Sequence, residues 1–511
     1  MSRTRNSLIN ISTNVIGQIV QMLLQFISRT IFVRFLSEQY LGINGLFGNI
    51  LNLLSLTELG FGTAIIYSLY KPIAENDEKH ITQLMNMYKR IYSIVAFAIL
   101  GIGLLLVPFL DYFIAGENTI PNLRLLYVLY LLNTVFSYFL IYKRSLIEAD
   151  QKQYICTIYQ KIFSVIQNIV QIFVLFATHD YILYLLVMIF CNIMTNICIS
   201  MKADHMCPWL KQGDKSLPDK TERTAIYKNT LAMSMHKLGT VCVNSTDNIL
   251  MSALVSLGSV GIYSNYTLIT GNVSLFAGLI YNSLTASIGN LGADCEKQKI
   301  YDTYRTLNFF CFIITSFCTL CLFSLLNPFL VVWLGEKYIF NISVVAIITL
   351  NYYLSGMRQM TLKFRDALGI FWYDRYKAVA EAIINLVCSF VLTKMYGIIG
   401  IFIGTTLCNV CVNLWVEPHI LYKYGFQRSS KAYYWEYGRY TLFTLVLAVV
   451  LYAMNQILTG TGLTLFCGKV FLTVFIYIIS FVIVFSRNKQ FKNLLSLLLR
   501  MLKKTKGDRP H

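Results

Sequence analysis

The chain is most restricted by a recurrence of apolar blocks with few internal charges, each about 20 residues long and so able to span a ~30 Å hydrocarbon layer as a helix. Runs such as Ile91 to Pro108 and Val470 to Phe485 are apolar without alternation, whereas membrane β-barrel strands read as alternating segments of about 10 residues. A barrel is excluded. Across 511 residues, 56% are hydrophobic and 13% charged, against roughly 25% charged in soluble proteins. That is more apolar side chain than one globular core can hide. The pattern predicts an all-α polytopic membrane protein.

The apolar windows place about fourteen transmembrane helices, near residues 8–33, 41–70, 91–114, 123–142, 154–177, 181–201, 229–254, 261–290, 306–332, 340–357, 378–394, 397–417, 440–458 and 464–485. Lys and Arg test that assignment, because basic residues are retained in cytoplasmic loops. The N-terminus, the connections after even-numbered segments and the C-terminal tail hold 35 of the 43 basic residues. Ala115–Asn122, Thr178–Asp180 and Ser256–Val260, on the opposite side, hold none. Both termini are therefore expected in the cytoplasm. The net charge of +18 lies at the membrane surface and implies no nucleic-acid partner. Most of the 13 cysteines lie in apolar or cytoplasmic stretches, where disulfides do not persist. The first segment is rich in Asn and Gln and lacks a small-residue cleavage site, so it reads as a retained helix and not as a signal peptide.

An internal repeat at an offset of 217 to 220 organises these segments. Cys191-Asn-Ile-Met-Thr-Asn-Ile197 matches Cys408-Asn-Val-Cys-Val-Asn-Leu414, Pro108-Phe-Leu110 matches Pro328-Phe-Leu330, Leu41-Gly-Ile43 matches Val260-Gly-Ile262, and Asn168 to Leu175 matches Asn385 to Leu392. Two six-helix lobes of the same orientation are expected, 1–201 and 229–420, joined by a cytoplasmic linker, 202–228, that carries Pro208, Gly213 and Pro218. Residues 421–485 add two accessory helices. The tail 486–511 has Phe491, Leu494, Leu495, Leu498 and Leu502 at helical spacing among basic residues, as an interfacial helix on anionic lipid would.

Polar residues form stripes on several segments. In the first, Asn10, Asn14, Gln18, Gln21, Gln25 and Arg29 recur at spacings of three and four and share a face. Asn52 lies in the second segment, Lys161, Ser164, Asn168 and Gln171 in the fifth, Lys237, Asn244 and Asp247 in the seventh, and Asn265, Thr270 and Asn282 in the eighth. A single amide in a membrane helix is ordinarily an interhelical hydrogen bond worth about 1 kcal/mol. Charges are different, since an Arg, Lys or Asp at the bilayer centre costs at least ~2.5 kcal/mol on insertion scales. A wet substrate cavity lined by Asn14, Gln18, Gln21, Gln25, Arg29, Asn52, Lys161, Lys237 and Asn244 accommodates both. Arg29 and Asp247 occupy equivalent places in the repeat and are expected to form a gate pair. Glu58 and Asp247 are the candidates for ion coupling, by H+ or Na+. The CxxC spacings at Cys318–Cys321 and Cys408–Cys411 lie on apolar helices without nearby His and do not read as metal sites. No catalytic residue, metal or other cofactor is expected, and no Gly-x-x-x-x-Gly-Lys-Ser/Thr nucleotide motif is present.

The stretches Arg29-Thr-Ile-Phe-Val-Arg-Phe-Leu36, Tyr40-Leu-Gly-Ile-Asn-Gly-Leu-Phe47, Glu58-Leu-Gly-Phe-Gly62 and Leu69-Tyr-Lys-Pro72 resemble the start of capsular and exopolysaccharide flippases. These form the polysaccharide transporter branch of the multidrug/oligosaccharidyl-lipid/polysaccharide exporter superfamily. Ser245-Thr-Asp-Asn-Ile-Leu250 and Val260-Gly-Ile-Tyr-Ser-Asn-Tyr266 are similar to the same group's seventh and eighth helices. The resemblance covers about residues 5–420 and implies a MATE-like arrangement of the two lobes. It also implies a flippase, not an enzyme, moving undecaprenyl-diphosphate-linked oligosaccharide across the bacterial cytoplasmic membrane for capsule, exopolysaccharide or O-antigen synthesis. The polymerase and glycosyltransferases of that pathway would be its partners, besides membrane lipid. Arg29, Lys161 and Lys237 would attract the diphosphate. One alternative is a multidrug or cation efflux carrier of the same superfamily, which would favour carboxylates where this chain has amides and cations. The other is a membrane glycosyltransferase or polymerase, against which the short external connections speak.

Overall fold

A computed structural model describes residues 3–496 except 56–60, 117–119, 212–215, 295, 371–372, 374–375, 459 and 461; for 3–12, 61, 63–64, 211, 225, 228–229, 231–244, 285–287 and 290–294 the description is of backbone alone. The described residues are overwhelmingly helical and include no strand. They divide into two compact units, Met1–Gly261 and Ile262–His511.

The first unit holds α1 (Arg3–Phe35), α2 (Glu38–Leu54), α3 (Phe61–Glu75), α4 (Glu78–Leu106), α5 (Leu123–Ala149), α6 (Gln153–Thr178), α7 (Tyr181–Met206), α8 (Lys220–Leu254) and the opening residues of α9 (Leu257–Asp294). Local chemistry sets several boundaries: Asp77 accepts from His80 N at the start of α4, and Asp180 accepts from Ile182 N at the start of α7. At Pro108 the α-helix gives way to a 3-10 turn, Val107–Phe113. The core joins Leu46 and Phe47 of α2, Leu84 and Tyr88 of α4, and Tyr127 and Leu131 of α5, all wholly buried. Phe47 meets Tyr127 edge-on at 5.2 Å.

Within hydrocarbon, helices associate through packing and hydrogen bonds and not through exclusion of water, so small residues mark the tightest crossings. At the crossing of α2 and α9, a Cβ on Gly42 would lie 2.1 Å from the Leu257 carbonyl oxygen, and one on Gly261 would lie 2.0 Å from that of Glu38. These two glycines are the ones aligned by the internal repeat, and they meet each other.

The second unit continues α9 and adds α10 (Lys297–Leu334), α11 (Ile342–Met357), α12 (Gln359–Ala367), α13 (Lys377–Tyr396), α14 (Ile398–Cys408), α15 (Leu414–Ile420), α16 (Lys431–Ile457) and α17 (Leu463–Phe485). Two π-helical turns, Asn409–Asn413 and Leu421–Phe426, flank α15. Gly397, at φ +61°, turns the chain from α13 into α14. Gly400 and Gly404 then face Leu392 and Ser389 so closely that added Cβ atoms would fall 2.1 and 2.3 Å from them. The C-terminal pair α16 and α17 docks on α10. Phe312 stacks on Tyr440 at 4.2 Å, and Ser316 bonds Tyr477 (2.9 Å), Ser324 bonds Thr473 (3.0 Å) and Asn455 donates to Ser324 (2.7 Å). The first part of the tail also packs here: Phe491 meets Phe481 at 5.9 Å, and Leu494 is buried.

Among the described residues ten helical stretches are long and apolar enough to span a membrane: α1 from Thr13, α4 with its 3-10 extension, α5, α6, α7, α10, α13, Ile398–Phe426, α16 and α17. They coincide with ten of the fourteen segments expected from sequence. Of the expected segment 41–70 the structure describes α2 and α3, of 17 and 15 residues, with 56–60 outside the described residues, and 340–357 corresponds to the 16-residue α11. The segments 229–254 and 261–290 are helical as α8 and α9, but their polar stripes dilute every apolar window.

Candidate functional site

The polar face of α1 lies against α6. Thr157 donates to Asn14 Oδ1 (3.3 Å), and Ser164 donates to Gln21 Oε1 (2.8 Å). Between these contacts Gly17 leaves room for the Lys161 side chain, whose Cε would be 3.0 Å from a Cβ at that position. Lys161 is half-buried and has no hydrogen-bond or ion-pair partner among the described residues. Deeper along α6, Asn168 and Gln171 are buried; Asn168 donates to the Ser164 carbonyl (2.7 Å) and Gln171 to that of Tyr184 (3.0 Å). Sequence spacing put Asn14, Gln21 and Lys161 into one site, and the structure brings them together. It gives the first two amides an interhelical role as well.

Arg29, farther along α1, is half-buried beside Tyr130, Tyr181 and Tyr184. Phe32, on the next turn, meets Tyr181 and Tyr184 edge-on at 5.8 and 5.4 Å, and the Tyr130 and Tyr181 hydroxyls are 2.7 Å apart. The tyrosines were not singled out from sequence, since an aromatic in an apolar helix carries no signal of its own. Gln18 and Gln25 are half-buried on the same helix. Asn52 of α2 donates to Ser245 of α8 (3.2 Å). Asp247 is half-buried two residues after Ser245. Lys237 and Asn244 belong to α8, with side chains outside the described residues, and Glu58 lies outside them altogether.

The second unit contains a site that sequence reading missed. Glu417 is wholly buried and accepts from Arg358 Nε (3.0 Å) and Nη2 and from Lys377 Nζ (2.5 Å). Glu381 stands farther off, 3.6 Å from Arg358 and 3.9 Å from Lys377, and accepts from Asn413 Nδ2 (2.8 Å). Asn409 accepts from Arg358 (3.4 Å) and from Asn413 (3.0 Å). Two cations and two carboxylates thus balance, and they tie the end of α11 to α13 and to the π-turn and α15. The available signal was weak. Arg358, Lys377 and Glu417 each sit at the rim of an expected span, where a charge reads as a loop residue. No group of three or more His, Cys, Asp or Glu arranged to hold a metal occurs among the described residues.

Long apolar helices in two units, with ionisable side chains held inside them, define a polytopic α-helical membrane protein. The profile of the polysaccharide biosynthesis protein family matches residues 7–285, more than half of the chain, and the protein belongs to that family. Its fold is similar to that of the lipid II flippase MurJ in an inward closed conformation, with TM-score 0.66 and 15% identity over 92% of this chain and 98% of that one. A multidrug-resistance MATE family transporter in an inward-facing conformation gives TM-score 0.61 and 14% identity, over 78% of this chain and 94% of that one. A MATE transporter of Vibrio cholerae gives TM-score 0.54 and 14% identity, over 82% of this chain and 96% of that one. No curated protein sequence matches.

Proposed function

We propose that this protein is a flippase that moves undecaprenyl-diphosphate-linked oligosaccharide from the cytoplasmic to the outer leaflet of a bacterial cytoplasmic membrane, by alternating access of two lobes. Capsule, exopolysaccharide or O-antigen synthesis would receive the product, and the pathway's polymerase and glycosyltransferases would be its neighbours. The observation that carries this reading is Lys161. A half-buried ammonium with no protein counter-charge in its described surroundings is costly unless an anion visits it, and the amides beside it suit sugar hydroxyls. Membership of a polysaccharide biosynthesis family and the fold shared with a lipid II flippase support the same cargo class.

The test is reconstitution in liposomes with a fluorescent lipid-linked oligosaccharide, following its accessibility to an external quencher. A hydrogen bond to a charged group is worth about 1.5–3 kcal/mol, so Lys161→Gln is expected to slow movement about tenfold to a hundredfold, with an unchanged elution profile in detergent. Wild-type vesicles that export amphiphilic cations and leave the oligosaccharide in place would move the assignment to an efflux carrier. Arg29 and Asp247 act as a gate pair in this scheme, and Glu58 and Asp247 as coupling carboxylates. Exchanging Arg29 and Asp247 in one double variant should restore part of the movement that either single reversal removes; two additive defects would dissolve the pair.

A further inference from the structure

The second unit contains a crevice of about 440 Å³ between α10, α11 and α16. Leu320 and Phe323 of α10 form its base, Ala346 and Leu350 of α11 one wall, and Leu445 and Ala448 of α16 the other. The threonines in the lining satisfy themselves within their own helices: Thr319 donates to the Thr315 carbonyl (2.7 Å), Thr349 to Val345 (2.9 Å), Thr441 to Tyr437 (2.9 Å) and Thr444 to Tyr440 (2.9 Å). These hydroxyls thus spend their protons on their own helices and donate to no ligand, and the lining presents almost only hydrocarbon. Its mouth is apolar as well, with Leu445, Val449 and Tyr452 exposed.

Length decides what fits. The lining begins in the first turn of α11, next to the capping residue Asn341, which accepts from Ser343 N (3.2 Å). It ends at Tyr353, whose hydroxyl bonds Thr441 of α16 (3.1 Å) and closes the floor. From Ile342 to Tyr353 the helix rises about 16 Å, close to half of the ~30 Å hydrocarbon layer. The crevice is one leaflet deep. A polyprenyl chain, longer than a leaflet is deep, would run into the Tyr353–Thr441 bridge. An acyl chain entering beside the α10–α11 connection would fill the space. The crevice is open on its apolar side, and at this depth in the membrane only hydrocarbon is at hand to fill it.

We propose that this crevice is a binding site for one acyl chain of a bilayer phospholipid, which completes the packing of α16 against α11. The site is independent of the cargo and of the reading of function given above.

The test uses the full chain in nanodiscs containing a phospholipid with a diazirine at mid-acyl chain, with photo-crosslinks mapped by mass spectrometry. Labelling is expected on the peptides carrying Ala346 and Ala448, several-fold above that on the outward face of α17 at Phe471 to Ile483, and unlabelled phospholipid should compete for it. Ala448→Phe, which fills the crevice, should reduce this labelling at least fivefold and leave α17 labelling unchanged. The smaller Ala346→Leu should give an intermediate loss, which keeps the test valid if the larger variant fails to fold. Uniform labelling of α11, α16 and α17, or labelling indifferent to both variants, would overturn the site. Displacement by stoichiometric polyprenyl phosphate but not by excess phospholipid would overturn the assigned occupant.

Discussion

Glu417 shows what one buried charge commits a membrane protein to. Its carboxylate has no solvent exposure and is held by Arg358 and Lys377, so removing it leaves two cations sharing Glu381 alone. Breaking a buried ion pair by deleting one partner typically costs about 3–5 kcal/mol, whereas replacing both partners with apolar groups is often neutral. Glu417→Leu is therefore expected to lower the midpoint of denaturation in mild detergent sharply. Arg358→Met combined with Glu417→Leu should recover most of that loss, because Lys377 and Glu381 then remain as a matched pair. A double variant as unstable as the single one would mean that the cluster contributes through its shape and not its charge balance. At this scale the sequence was informative where polar residues repeat along one helix, as from Asn14 to Arg29. It was silent where the partners come from three helices, because Arg358, Lys377 and Glu417 declare themselves only after folding brings three span ends together.

The elements were largely legible, since a run of apolar residues cut by charges marks a membrane helix whatever its neighbours are. The segments expected at 340–357, 229–254 and 261–290 are helical as well, but α11 is only 16 residues long and α8 and α9 carry polar side chains, so none of the three has a fully apolar spanning window. Crossings between elements were less legible, with one exception. The repeat aligned Gly42 with Gly261, and the structure brings these two residues into contact across α2 and α9. A Cβ at Gly261 would overlap the Glu38 carbonyl, which belongs to backbone and cannot swing aside. Overpacking at such a site costs typically about 1–3 kcal/mol, so Gly261→Ala should reduce thermal stability measurably. Gly271→Ala, on the same helix with nothing within 4 Å of the added Cβ, should be neutral or slightly stabilising through helix propensity. Equal effects from the two substitutions would remove the crossing from the account.

Orientation belongs to the whole molecule and follows from where charge is tolerated. Basic residues concentrate in alternate connections, and at the start of α16 they are joined by aromatics of the kind that settle at a membrane–water interface. Trp435 is exposed there, Trp415 packs on Tyr434 at 4.8 Å, Tyr373 stacks on Tyr424 at 3.8 Å, and Arg428 lies 4.6 Å above the Tyr301 ring. The same end carries Lys423 and Lys431, both exposed. The positive-inside rule predicts this end on the cytoplasmic side and the α16–α17 connection outside. Single cysteines at Arg487 and at Gly462, introduced into a background in which the 13 native cysteines are replaced, separate the two orientations. In intact cells a membrane-impermeant maleimide should label the Gly462→Cys protein and spare Arg487→Cys until the membrane is opened. The reverse pattern would turn the molecule over and set the basic and aromatic residues around the start of α16 on the outer side, against the charge asymmetry of the connections.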